Sequence, residues 1–256
     1  MPVVAVHHPR APFRRLIRRG LRPFGLRAAV CRSPDAIAQV FRRDVVDAVV
    51  LGGPPDVGER AASLLARYPG VPLFVAGPFG PGDGATLARY RRAGVQGILV
   101  DGVDDAAAAE LVATRTVSRA RRRALAGAPR MLRLTESLQL RAWEDVLLRV
   151  DQRLATADVA RALRVTREHL SREFGAGGAP NLKRVIDLAR VLCAADLLRN
   201  PGYDVRTVAR VLRFSSPSHL GACVRRIAGV APTDLAALGP HDVLGHFLRG
   251  RTRSRV

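Results

Sequence analysis

The chain has 256 residues, room for two domains of ordinary size, and 48% of them are hydrophobic, ample for packed cores. Its formal net charge is +20, shared by both halves: residues 1–125 carry 20 basic and 10 acidic side chains, residues 126–256 carry 22 and 12. That balance points to a polyanion, with nucleic acid ahead of a membrane surface because no basic amphipathic anchor is present.

From residue 2 to residue 123, short apolar runs alternate with helical patterns. The runs Val3-Val4-Ala5-Val6, Leu26–Cys31, Ala48–Leu51, Leu73–Ala76 and Gly97–Val100 read as buried strands of a parallel sheet. Helices are expected over 12–20, 34–43 (capped by Ser33), 56–68, 83–93 and 104–123. Five βα units in this order predict an open, doubly wound, flavodoxin-like sheet with helices on both faces.

The layout resembles the receiver domain of bacterial response regulators. That resemblance implies acidic residues for a metal ion, a phosphoryl-accepting aspartate, a hydroxyl and a lysine at the carboxyl ends of the strands. This chain has Val6-His7-His8 after the first strand and Leu51-Gly52-Gly53 after the third, with Asp56 beyond it at the expected helix start. The fourth strand ends in Ala76-Gly77, and the fifth is followed by Asp101 where the lysine belongs. A receiver that has lost its phosphoacceptor chemistry is the expectation. Gly52-Gly53-Pro54 and Gly77–Gly82 fit neither a P-loop nor a dinucleotide fingerprint and read as turns. His7 and His8 lack a second cluster of ligands, and Cys31 lacks a partner base, so no catalytic residue, cofactor or metal is expected.

Residues 119–130 (RARRRALAGAP within them) combine an Arg-rich helix end with a Gly/Pro break. The expected organisation is therefore 1–123 receiver-like, 124–130 linker, 131–238 all-α, and 239–256 a basic tail. A helix is expected from Met131 through a core Trp143 to about Arg153, and a short one after Pro240, before a disordered RGRTRSRV.

Two segments of the second half share one pattern, TADVARALRVTREHLSREF (156–174) and YDVRTVARVLRFSSPSHLGACVRRI (203–227). In each, a short helix, a brief turn and a second helix predict a helix–turn–helix unit. Thr156 and Asp204 are the expected caps of the first helices, Thr166 and either Ser215 or Ser216 those of the second helices. Between the units, Asn181–Arg199 carries an apolar stripe at Leu182, Val185, Ile186, Ala189, Leu192, Cys193 and Leu197, a strut of roughly 28 Å. Asn200-Pro201-Gly202 ends it.

The pieces His169-Leu170-Ser171-Arg172-x-Phe174, the strut, Phe214-Ser215-Ser216-Pro217-Ser218-His219-Leu220 and Val230-Ala231-Pro232-Thr233-Asp234-Leu235 resemble the DNA-binding domain of the AraC/XylS family of bacterial transcription regulators, over about 134–238. The chain departs from that family at Arg213, where glycine is usual, and at Gly221 and Ala222, where long polar side chains are common. The resemblance implies a cytoplasmic regulator that reads two successive major grooves of double-stranded DNA. It also implies RNA polymerase as a partner and a homodimer formed through the first half.

On the first reader, burial of Leu170 and Phe174 leaves Arg167, Glu168, Ser171 and Arg172 for DNA, with Arg172 matched to guanine O6 and N7. On the second, Ser215, Ser216, Ser218, His219, Arg225 and Arg226 are candidates that position more than they specify. A low-specificity architectural DNA binder is the alternative, and an enzyme on the βα sheet is disfavoured by its strand ends. Cys31, Cys193 and Cys223 are odd in number and far apart, suggesting neither disulfides nor zinc. No run of 18 or more apolar residues occurs, and MPVVAVHHPR lacks a signal-peptide layout, so no membrane association is expected.

Overall fold

Five apolar runs become five parallel strands in the computed structural model, which describes residues 1–53 and 57–252. They are β1 Val3–His7, β2 Arg27–Val30, β3 Val46–Gly52, β4 Leu73–Gly77 and β5 Gly97–Val100, in spatial order β2-β1-β3-β4-β5. This is the flavodoxin-like order, whose switch point lies where β1 and β3 part at their carboxyl ends. In register, Ala5 lies opposite Ala29 and Val49, Val50 opposite Phe74, and Val75 opposite Ile98.

The helices of this unit are α1 Ala11–Gly20, α2 Ala36–Arg43, α3 Val57–Arg67, α4 Gly84–Arg92 and α5 Ala108–Ala113. Side chains alternate across a strand, so Val4, Val6, Ala48, Val50, Phe74 and Ala76 share one face and pack with Phe13 and Ile17 of α1 and Ala109 and Val112 of α5. On the other face, Phe41 of α2 stacks on Tyr68 at 3.6 Å between ring centroids, beside Val49, Leu64 and Leu73.

Two expectations change here. Helix α2 begins at Ala36, and Ser33 Oγ accepts from the Ala36 amide at 3.3 Å, closing a turn ahead of the helix. The single helix expected over 104–123 is two, α5 and α6 Val117–Ala124. The break follows from Asp47, the extra residue of a register shift in β3, which is 1% exposed. Its carboxylate accepts from the Ser118 amide at 2.8 Å and from Ser118 Oγ at 2.5 Å, capping a new helix. Asp56 lies outside the described residues.

The division between compact units falls inside α6: Met1–Ala120 with Asn200–Gly202 form one, and Arg121–Arg199 with the chain from Tyr203 form the other. The expected linker 124–130 is accordingly structured, with Leu125 and Ala128 buried and α7 Ala128–Met131 starting there with Pro129 in its first turn. The helix expected from Met131 to Arg153 is interrupted as well, and α8 spans Ser137–Leu148 with Trp143 in the core.

The second unit continues with α9 Thr156–Ala162, α10 Arg167–Gly175, α11 Leu182–Leu198, α12 Val205–Val211, α13 Pro217–Ala228 and α14 Pro240–Thr252. Helix α11 is almost wholly buried, as its broad apolar stripe requires. Asn181 Oδ1 caps it by accepting from the Arg184 amide at 2.9 Å. Helix α14 takes up most of the segment read as a basic tail, because Val243, Leu244 and Phe247 are buried and Arg184 of α11 stacks on the Phe247 ring at 4.9 Å. Residues 253–256 lie outside the described residues. No helix among the described residues is long and apolar enough to cross a membrane.

Candidate nucleic-acid interface

The two helix–turn–helix units close their turns with the same hydrogen bonds, residue for residue. After α9, Val165 N donates to Ala160 O at 3.1 Å and Arg164 N to Arg161 O at 3.2 Å; after α12, Phe214 N donates to Ala209 O at 2.8 Å and Arg213 N to Arg210 O at 3.0 Å. This paired arrangement is a Schellman closure, which needs a left-handed residue at the first position past the helix. Arginine fills that position both times, at φ 58° in Arg164 and in Arg213. The same closure follows α7, where Arg133 has φ 56° and Leu134 N donates to Pro129 O at 2.8 Å.

Each second helix then opens on a hydroxyl. Thr166 Oγ1 accepts from the His169 amide at 3.1 Å, and Ser216 Oγ accepts from the His219 amide at 3.0 Å, which settles the choice between the two serines. Ser215 Oγ instead lies 2.9 Å from His219 Nδ1. Asp204 caps α12 through the Thr207 amide at 2.6 Å, as expected. Thr156 does not cap α9: it is the first helical residue, and Asp158 reaches back to the Ala155 amide at 3.0 Å.

On α10, Leu170 and Phe174 are buried while Arg167, Glu168, Ser171 and Arg172 are exposed on one face. Ahead of α13, Ser215 is exposed and the cap Ser216 half-buried; on α13, Ser218, His219, Ala222, Arg225 and Arg226 are exposed. Gly221 is buried, contrary to its expected place on the open face. A Cβ there would come within 3.6 Å of Pro232. Arg226 forms an ion pair with Asp187 of α11 at 2.7 Å.

Two buried polar side chains that the sequence reading passed over hold the readers in place. Gln139 of α8 is 1% exposed; its Oε1 accepts from the Thr135 amide at 2.8 Å, and its Nε2 donates to Glu173 O at 3.0 Å at the end of α10. Arg190 of α11 is 9% exposed, donates to Leu212 O at 2.8 Å and lies 3.7 Å from the centroid of the Phe214 ring. Phe214 in turn meets His219 edge to face at 5.4 Å. Burial lowers the pKa of the Arg190 guanidinium. The available signal was an arginine between Ile186 and Cys193, at a position of the apolar stripe where an exposed face cannot be. The cysteines are core residues, all three buried and none in a disulfide among the described residues, and burial pushes the Cys223 thiol up to about 11.

At the carboxyl end of the sheet the chain's own side chains fill the switch point. His8 is 1% exposed, and Arg10 N donates to its Nδ1 at 3.2 Å, so the neutral ring carries its proton on Nε2. Nε2 lies 3.0 Å from Asp101 Oδ1, and Arg10 completes the group with Asp101 at 3.3 Å and Asp105 at 2.9 Å. The ring crosses β3 so closely that a Cβ on Gly52 would sit 1.9 Å from its Cδ2. Burial pushes the His8 pKa below its ordinary value against the opposing charge of Asp101. Imidazole therefore fills the space at the carboxyl end of β3 that a side chain at position 52 would need.

Two capped helix–turn–helix units thus flank one buried strut, and the sheet has the receiver-like order. Residues 159–237 match the family model described as a helix-turn-helix domain. The chain thus carries a helix-turn-helix domain at 159–237, preceded by a sheet of receiver-like order. Among solved structures, it is similar to a response regulator from Thermotoga maritima at 14% identity, over 44% of this chain and 94% of that one, with TM-score 0.39. Full-length FixJ from B. japonicum aligns at 12% identity over 77% and 97% with TM-score 0.39, and a Burkholderia pseudomallei response regulator at 17% over 67% and 98% with TM-score 0.38. No curated protein matches the chain.

Proposed function

We propose that the protein binds specific DNA sites by placing α10 and α13 in two successive major grooves, and that its first unit serves regulation or dimerisation without accepting a phosphoryl group. The observation that carries this reading is the pair of matching turn closures, each followed by a capped helix with one polar face. Arg167, Glu168, Ser171 and Arg172 are the specifying set, because all four are exposed on α10. Arg172 supplies the fork that suits guanine. Ser215, Ser216, Ser218, His219, Arg225 and Arg226 form the positioning set. Of its two arginines, Arg225 is the better phosphate contact, since the fork of Arg226 is engaged by Asp187. A homodimer through the first unit and RNA polymerase are the partners of this reading, which assigns the protein binding and no catalysis.

Selection of sites from random DNA, run on the wild type and on Arg172→Ala, tests it. Loss of one bidentate contact should cost about 1–3 kcal/mol and relax the preference at one base pair. An unchanged preferred sequence would overturn the assignment. A second reading, a low-specificity accessory binder, draws on the second reader, where Ser216 is occupied as a cap and Ala222 stands on the open face. It is favoured if selected and random duplexes bind with equal affinity across a salt titration.

A further inference from the structure

Helix α1 carries a face that its own fold does not use. Residues 1–34 hold eight arginines and no acidic residue. Three of the arginines are engaged within the fold: Arg10 with Asp101 and Asp105, Arg14 with the carbonyls of His8 and Pro9, and Arg27 with Asp44 at 2.8 Å. Arg15, Arg18, Arg19 and Arg22 are exposed and have no acidic partner among the described residues. Arg15, Arg18 and Arg19 recur at i, i+3 and i+4 on one side of α1, and Arg22, in the turn just past its end, lines the same groove, so the four repel one another. With Pro12 and Leu16 they enclose an open groove of about 570 Å³. Leu16 is 47% exposed and Phe24, just beyond, is 40% exposed, while Phe13 and Ile17 on the opposite side are buried in the core.

We infer that this groove is a docking site for an acidic amphipathic helix of another protein. An apolar floor bordered by four arginine forks complements a helix that carries leucine-like residues on one stripe and carboxylates beside it. DNA fits less well, because a phosphate backbone offers nothing to Leu16, Pro12 or Phe24. A second copy of this chain fits less well too, since a two-fold contact through this face sets arginine against arginine.

The test uses the full-length protein, with its DNA readers saturated by duplex. The probe is a labelled synthetic amphipathic helix of about 18 residues bearing Leu and Glu, compared with a scrambled peptide of the same composition. The amphipathic peptide should bind at least about tenfold more tightly than the scrambled one. Arg15→Gln with Arg19→Gln, and separately Leu16→Ser, should each weaken it by about tenfold while leaving DNA affinity and melting temperature unchanged. Arg18→Gln with Arg22→Gln is the second charge pair, should either of the first variants melt early. Equal binding of both peptides, or variants that bind like the wild type, would overturn the proposal. Loss of DNA affinity with peptide binding intact would assign the face to the phosphate backbone and overturn it equally.

Discussion

Glycine at position 52 is required by a neighbour and not by the backbone, since its φ is not in the left-handed region. The His8 ring occupies the space a methyl group would need. Gly52→Ala should therefore destabilise the first unit by about 1–3 kcal/mol, the range for overfilling a packed site. His8→Ala in the same chain should remove most of that cost, and urea melts of both singles and the double give the coupling. Additive costs would mean that the ring is free to move aside. The sequence announced that the acceptor was missing, but not what replaced it, because the contact joins residues 44 positions apart in the chain. The left-handed arginines are the reverse case: their strain was partly legible. Arg213 stood out as a departure from glycine, whereas Arg164, at the same φ of 58°, gave no such signal. A side chain in that region costs roughly 1–2 kcal/mol, from which the extra chain entropy of glycine must be subtracted. Arg164→Gly should raise stability by about 0.5–1 kcal/mol, read as a higher urea midpoint at unchanged slope. A lower midpoint would show that the arginine makes contacts worth more than its strain.

Elements were legible where one face decides them. Strands β1, β3, β4 and the strut follow from apolar runs and stripes, because a buried surface must be apolar along its whole length, whereas β2, expected to be buried, has Arg27 and Val30 exposed. Breaks and caps were less so. Nothing local in 104–123 announces two helices; the cause is Asp47, 71 residues away from Ser118. Helix α9 starts on Ala155 because Asp158 satisfies its amide, a reach-back that an intrinsically good cap at Thr156 concealed. The same limit applies to Arg190, which acts on the second reader from the strut. Its bond to Leu212 O and its stacking on Phe214 fix the turn ahead of α13, and Phe214 bears on His219. Arg190→Met removes a buried charge but leaves Leu212 O without its donor, which should cost about 1–3 kcal/mol. The fold should survive with a lowered melting temperature, since that cost is below a domain's usual stability. Discrimination between a selected site and random DNA should nevertheless fall by about tenfold, the equivalent of about 1.4 kcal/mol. Equal losses on both DNAs, or none, would reduce Arg190 to a packing residue.

At the scale of the whole molecule, the second compact unit starts at Arg121 and takes in α14, which suggests bounds for the DNA-binding domain wider than 131–238. The Gly/Pro break at 126–129 looked like a linker, yet proline suits the first turn of α7 as well as it suits a loop. Arg121 lies ahead of that break and belongs to the second unit. It is 6% exposed, and its Nε donates to Asp196 of α11 at 2.5 Å. At the other end, the basic character of 239–256 hid three core residues, Val243, Leu244 and Phe247, on a helix packed against α13 and α11. A fragment of 131–238 would thus keep the pairing of Asp196 with Arg199 but lose Arg121, and it would lose the cover that α14 gives to α11 and α13. Full burial of each large apolar side chain contributes about 1.5–3 kcal/mol, so omitting three removes much of a domain's usual 5–15 kcal/mol. We expect 121–256 to unfold in one cooperative urea transition, followed by the fluorescence of the single tryptophan, Trp143 on α8. The 131–238 fragment should show no cooperative transition and no sequence-selective binding, and 131–256 should fall between the two. Equal midpoints for all three would mean that neither Arg121 nor α14 holds the DNA-binding domain together.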